Sequence, residues 1–277
     1  MSKEKLQDEY KNPVSSEDMV ELAKQQYEQK KVSDYKFPTE IVDLPSKGLV
    51  YPKENPLSSG KVEMKYMTAK EEDIITNQSF IQKGTVIDKL LEALVVSEGV
   101  DVEDLIVGDK NALLVASRVL GYGSIYKFTY GGEDYEVDLA NLENKKFDES
   151  LFTPGENKFS FQTPHGENLI EFQLMTDKIE KKVSAELRGL KKISKGVSPE
   201  MSTRLKHMIL SVDGNPEKKD IREFVDNFFL ARDAKALRDY VVKVQPDVDF
   251  SFERELSNGE LEEIDIPIGA NFFFPDA

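Results

Sequence analysis

Cysteine is absent from the sequence. That removes disulfides, thiolate nucleophiles and cysteine-based metal centres together, and fits a reducing compartment. Tryptophan is absent too, so aromatic anchoring falls to 16 phenylalanines and 10 tyrosines. Histidine is scarce: His165 and His207 are the two imidazoles available for chemistry near neutral pH. No apolar run approaches the roughly 20 residues a membrane-spanning helix needs. The first residues, Met1 to Tyr10, lack the apolar stretch of a signal peptide. Positive charge is in deficit, with 37 Lys and Arg against 52 Asp and Glu, a formal net charge of -15. A field of that sign repels phosphates and anionic membranes, so general binding to nucleic acid is not expected.

What is present is enough apolar material for a real core, 39% of 277 residues. Its periodicity predicts an α+β protein of amphipathic helices and several small antiparallel β-hairpins behind a polar N-terminal arm. Three stretches are expected: an arm over 1–36, a mixed helix and hairpin domain over 37–176, and a helical domain ending in a hairpin over 177–277. In the arm, Ser15 and Asp18 read as a helix cap and its partner, ahead of a thin stripe of Met19, Leu22, Ala23 and Tyr27. So narrow a stripe does not hold a helix alone. The arm is either a solvated tail or a segment that orders on a partner.

Pro38, Pro45, Gly48, Pro52 and Pro56 predict an ordered loop or extended segment up to Gly60. Val62, Met64 and Tyr66 alternate as a strand, and Thr68 with Glu71 forms a capping box over a short helix. Thr85 caps a helix facing inward through Ile87, Leu90, Leu91 and Leu94. Asp109 precedes another, with Leu113, Leu114, Ser117 and Leu120 on one face and a stop at Gly121. Two hairpins follow, one turning at Gly131-Gly132 and one between Pro164 and Asn168. Helical spacing then returns from Asp177 to Lys195, after Pro199 (Met201, Leu205, Met208, Ile209), after Asn215-Pro216, and from Asp233 to Pro246. Asn258-Gly259 turns a last hairpin.

The search for a reactive centre finds no convergent set. His165 sits in the turn Thr163-Pro164-His165-Gly166, and His207 lies on a helix with no second histidine at i+4 for a zinc site. Gly121-Tyr122-Gly123-Ser124 follows a helix and precedes a strand, the wrong order for a phosphate cradle. Asp213-Gly214-Asn215-Pro216-Glu217 lacks the glycine position and closing carboxylate of a calcium loop. No catalytic, cofactor-binding or metal-binding residue is therefore assigned. Charge is unevenly placed instead. Lys178, Lys181, Lys182, Arg188, Lys191, Lys192 and Lys195 fall in one helical stretch with only Glu180 and Glu186 against them. Asp247 to Asp265 carries eight acids and only Arg254. Such faces either pair within the molecule or steer docking. Lys178, Lys181, Lys182, Arg188, Lys191 and Lys192, with the terminal Phe272, Phe273 and Phe274, are the candidate docking residues. Arg204, Asp226, Arg232, Asp233 and Arg238, spread over three consecutive helices, are candidates for a structural clasp.

Several segments, in this order, resemble the T4-type baseplate hub assembly proteins of tailed phages. They are Ile41-Val-Asp-Leu-Pro-Ser-Lys-Gly-Leu-Val-Tyr-Pro52, Leu57-Ser-Ser-Gly60, Thr68-Ala-Lys-Glu-Glu-Asp-Ile74, Gly84-Thr-Val-Ile-Asp-Lys-Leu-Leu91 and Gly108-Asp-Lys-Asn-Ala-Leu113. Further on come Glu223-Phe-Val-Asp-Asn227, Ala231-Arg-Asp-Ala-Lys-Ala-Leu-Arg238, Gln245-Pro-Asp-Val-Asp249 and Ile266-Pro-Ile-Gly-Ala-Asn-Phe-Phe-Phe-Pro-Asp276. The resemblance implies a non-enzymatic chaperone or built-in subunit of a contractile tail hub. It would act in the infected cell's cytoplasm or in the virion baseplate, on other hub proteins and the tape-measure protein. Some similar phage proteins carry cysteine pairs at the last hairpin in a zinc-ribbon pattern; Ser257-Asn258-Gly259-Glu260 stands there instead, so no zinc is implied. Two rival readings follow from the residues alone. One is a regulatory nucleic-acid binder using the basic helix over 178–195; the other is a hydrolase pairing carboxylates with His165 or His207.

Overall fold

Short strands and amphipathic helices alternate through the computed structural model, which describes residues 38–191, 198–256, 259–268 and 272–273. The arm expected over 1–36 lies outside these residues. Thr39–Ala277 group as one unit, distinct from Met1–Pro38. Within that unit the described residues form eight α-helices and four small antiparallel sheets, the expected α+β class.

Strand β1 (Thr39–Asp43) pairs with β2 (Lys61–Lys65). The proline-punctuated loop between them is ordered. At Gly48 (φ +80°) an added Cβ would lie 2.4 Å from the Ser58 carbonyl oxygen, so backbone passes backbone there and only glycine fits. Helix α1 (Ala69–Ile75) opens on the expected box, the Glu71 carboxylate accepting from the Thr68 N–H at 3.0 Å. A short helix α2 (Gln78–Lys83), which the sequence reading does not include, is capped by Asn77 and stopped by the left-handed Gly84. Helix α3 (Val86–Leu94) buries Leu90, Leu91 and Leu94 as their spacing requires. Helix α4 (Val107–Tyr122) corrects the reading of Asp109, which lies inside its first turn instead of before it. The stop falls at Gly123, two residues beyond the expected Gly121.

Both central hairpins form: β3 (Ile125–Tyr130) with β4 (Glu133–Asp138), and β5 (Phe159–Gln162) with β6 (Leu169–Phe172). The second gains a strand from later in the chain. Helix α5 (Asp177–Lys191) and helix α6 (Glu200–Met208) follow, and then Ile209, expected on the inner face of α6, opens strand β7 (Ile209–Val212), which pairs with β6. Helical spacing up to Met208 carried Ile209 along, but its unpaired backbone meets the open edge of β6. No seam falls at Thr176/Asp177, because this sheet spans it and the Asp177 N–H donates to the Leu105 carbonyl at 3.0 Å. Helices α7 (Lys218–Asn227) and α8 (Ala231–Val244) and the hairpin β8 (Ser251–Glu255)–β9 (Leu261–Asp265) complete the unit.

Two-stranded hairpins need a surface to be stable, and aromatic rings supply it. Phe252 of β8 meets Phe128 and Tyr135 of β3–β4 edge-on, with centroids 5.7 and 5.6 Å apart. Phe272 packs on Tyr126 at 5.2 Å and on Phe273 at 5.3 Å. The Tyr126 hydroxyl donates to the Pro267 carbonyl at 2.8 Å. On the three-stranded sheet, Tyr240 of α8 packs against Phe161 and Phe172. All these rings belong to, or pack on, one continuous apolar core.

Candidate functional site

Helix α5 has two unlike faces. Val183 is buried and Ile179 and Leu187 pack on the core, as their spacing requires. On the outer side Lys178, Lys182, Ala185 and Gly189 follow one another at i+4, i+3 and i+4, all exposed. Arg188 and Lys191 flank a shallow hollow of about 510 Å³ over Ala185 and Gly189. Lys178, Lys182, Arg188 and Lys191 enter no ion pair among the described residues. Lys181 departs from the docking assignment. Its ammonium sits 3.0 Å from Asp88, 2.9 Å from Glu103 and 2.9 Å from Asp177. Burial works against its charge, but the bonds to Asp177, Glu103 and Asp88 outweigh burial and raise its pKa. Lys110 of α4 reaches the same two aspartates, 2.5 Å from Asp88 and also bonded to Asp177. Lys181 therefore ties α5 to α3 and to the Val102–Asp104 turn, and its charge is already taken up within the molecule.

The terminal phenylalanines correct the same assignment. Phe272 is 0% and Phe273 6% exposed, because Phe272 packs edge-on against Tyr126 of β3 and Phe273 against Phe272, both within the apolar core. Burying each contributes about 1.5–3 kcal/mol, which a docked partner would have to replace. Lys192 and Phe274 lie outside the described residues.

The acidic hairpin is split in a similar way. Asp247 is internal, accepting from Asn111 Nδ2 at 2.9 Å, and Glu262 holds Arg254. The outward face keeps its charge. Glu253, Glu255, Glu263 and Asp265 are exposed there, and Glu253 stands directly opposite Glu263 across the ladder. Leu261, 67% exposed, lies among them.

Both histidines are held by carboxylates. His165 Nδ1 lies 2.8 Å from Asp233, which also accepts the His165 and Gly166 backbone N–H groups at 3.1 and 2.8 Å. That fastens the β5–β6 turn to α8. His207 Nε2 lies 2.9 Å from Glu186, whose two oxygens accept from Arg222 at 2.8 Å each. The Arg222 bonds, joined by that of His207, outweigh burial and hold the Glu186 carboxyl down at about 2. One carboxylate on α5 thereby ties α6 and α7.

The five clasp residues do not converge. Arg204 pairs with Glu180 and Glu200, Asp226 with Lys206 at 2.6 Å, and Asp233 with the His165 turn. Arg232 and Arg238 enter no ion pair among the described residues. Each clasp acid meets a closer donor on a neighbouring element, so the clasp becomes three separate ties.

The polar centre that sequence spacing did not reveal is Asp109, 0% exposed. It accepts from the Ser46 N–H at 2.9 Å, the Ser46 hydroxyl at 2.6 Å and the Tyr51 hydroxyl at 2.6 Å. Tyr51 in turn accepts the Ile106 N–H at 3.0 Å. Burial raises the Asp109 carboxyl above its ordinary pKa despite these donors. Beside it, Gly108 lies so close to the Pro246 carbonyl that an added Cβ would sit 1.9 Å away. An acid next to glycine at the head of an apolar run was the available signal. Its meaning depended on partners 63 and 58 residues away. Set against protein-family models, curated proteins and solved structures, the chain matches none.

Proposed function

We propose that this chain is a non-enzymatic assembly factor or structural subunit of a contractile phage tail baseplate hub, acting by protein–protein binding. The observation that carries the reading is the separation, onto two faces, of charge that has no ion-pair partner among the described residues. Four cations stand on the outer side of α5 and four carboxylates on the outer side of β8–β9. Faces of opposite sign on one molecule steer encounters with complementary subunits and reject others. The resemblance supports the choice of hub. Three of the segments that carry it, around Ser46, Asp109 and Pro246, meet at one place in the fold. The partners would be other hub proteins and the tape-measure protein, met in the infected cell's cytoplasm.

The test is recovery of tail proteins from infected cells by the tagged chain, beside a variant carrying Lys182→Glu, Arg188→Glu and Lys191→Glu. The wild type should recover hub proteins and the triple variant should not; recovery of none by the wild type ends the reading. Mass spectrometry of purified virions then separates subunit from chaperone. The α5 cations also suit a phosphate backbone. A gel shift at low salt tests that second reading, and with a net charge of -15 no shift is expected.

A further inference from the structure

The sheet formed by β1 and β2 stops one strand short of the helix face it covers. Leu44 N–H donates to the Gly60 carbonyl at 2.8 Å, which marks 44/60 as a hydrogen-bonded pair of the ladder. Antiparallel pairs alternate, so 42/62 and 40/64 bond each other while 41/63 and 43/61 point away from one another. The far side of β2 obeys this rule: Glu63 accepts from Val96 N–H at 2.9 Å, and its own N–H donates to Ser97 Oγ at 2.7 Å. On the β1 side the matching groups belong to Thr39, Ile41 and Asp43. They have no backbone partner among the described residues. Beyond that edge runs a groove of about 380 Å³ between β1 and α4. Its apolar walls include Val42, Ala112, Val115, Ala116, Val119 and Leu142. Glu40 also borders it and is exposed; Asp43 borders it too, with its carboxylate 3.3 Å from Lys61.

We propose that the open edge of β1 and this groove together bind an extended segment of a partner protein by strand addition. The segment would carry small apolar side chains at alternating positions and lysine or arginine beside them. The geometry specifies this occupant. An added strand would bond Thr39, Ile41 and Asp43 through its backbone. Its residue opposite Val42 would point over Val115 and Val119, and its residue opposite Glu40 would meet a carboxylate. Strand addition needs both a free ladder and pockets of period two, and the edge and groove supply one each. A cationic segment is favoured by the Glu40 carboxylate and by the charge of the whole chain. The inference rests on the protein-binding reading above and names one of its surfaces.

The probe is a fluorescein-labelled peptide, Lys-Thr-Val-Thr-Val-Thr-Lys, titrated with the full chain and followed by anisotropy. A control peptide carries Glu at both ends. Two variants leave the fold intact. Ile41→Pro deletes an outward N–H while sparing every bond to β2, as proline on an edge strand does. Ala140→Arg places a bulky cation on an exposed groove residue. Saturable binding of the lysine peptide, weakened about tenfold or more by each variant, supports the proposal. Protection of the Thr39, Ile41 and Asp43 amides from exchange on binding also supports it, as does weaker binding of the Glu peptide. No saturable binding, or equal binding by the variants, overturns it. So does a wild-type dimer in sedimentation that Ile41→Pro converts to monomer, because the occupant would then be a second copy. If Ile41→Pro still recovers hub proteins from infected cells, this surface fails while the assembly reading stands. If wild type recovers none yet binds the peptide, the reverse holds.

Discussion

Replacing Asp109 with alanine should remove about half of the stability of the fold. The change leaves the Ser46 N–H, the Ser46 hydroxyl and the Tyr51 hydroxyl without their acceptor, in a place where Ser46 and Asp109 are fully buried. A buried polar group left unmade costs about 1–3 kcal/mol. Three such groups, only partly relaxing, give an expected loss of about 3–5 kcal/mol, against about 5–15 kcal/mol for a whole domain. Tyr51→Phe should cost about 1–3 kcal/mol by the same reasoning, since it orphans the Ile106 N–H and one carboxylate lone pair. The two losses should not add: in the Asp109→Ala background the phenol has already lost its acceptor, so a coupling of about 0.5–3 kcal/mol is expected. Urea denaturation followed by circular dichroism measures all three variants. Asp109→Asn supplies a pH readout. Burial raises the Asp109 pKa in the fold, so the native state holds this proton more tightly than the unfolded chain. Stability from this group is therefore fully present below the ordinary aspartate pKa and declines as pH rises toward the raised value. Wild type should lose stability relative to Asp109→Asn across that window. Additive losses, a loss under about 0.5 kcal/mol for Asp109→Ala, or parallel pH curves would refute the reasoning.

Lys110→Met should destabilise by about 3 kcal/mol, because Asp88 and Asp177 would then share Lys181 alone; thermal melts check it. Glu186→Gln should cost about 1–3 kcal/mol at neutral pH through the lost charged bonds to Arg222 and His207. The wild-type contribution of Glu186 is present above the ordinary glutamate pKa and vanishes as pH falls through about 2, so acid titration of both proteins should bring their stabilities together. Glu263→Lys should stabilise the fold by about 0.2–1 kcal/mol by replacing a like-charge cross-strand pair with an opposite one, read from urea midpoints.

Elements whose determinants are local were legible in the sequence. Thr68 and Glu71 are three residues apart and cap α1, and Gly131-Gly132 turns β3 into β4 whatever surrounds it. The buried stripe of α3 follows from its own spacing. What escaped was decided at a distance. Ile209 fits the α6 period, but the edge of β6, some 40 residues earlier, takes it as a strand. Lys181 shares its sign with Lys182, yet carboxylates on α3, on the Val102–Asp104 turn and on its own helix claim its charge. The clasp residues were grouped wrongly because Glu180 for Arg204, Lys206 for Asp226 and His165 for Asp233 all lie on other elements, and spacing within a helix carries no such information. Of the candidate docking residues, Lys178, Lys182, Arg188 and Lys191 are exposed, while Phe272 and Phe273 are consumed by the core.

The near collision at Gly108 governs the order in which this protein can mature. The head of α4 is seated against the Pro246 carbonyl, and β6 acquires its last neighbour from Ile209–Val212. A nascent chain emerging from the ribosome therefore holds an unfinished middle until Pro246 has been made. Pairings of such long sequence separation form slowly, and the exposed intermediate is vulnerable to proteases throughout. A chain built this way closes its middle only once segments far apart in sequence, the head of α4 and Pro246, have met.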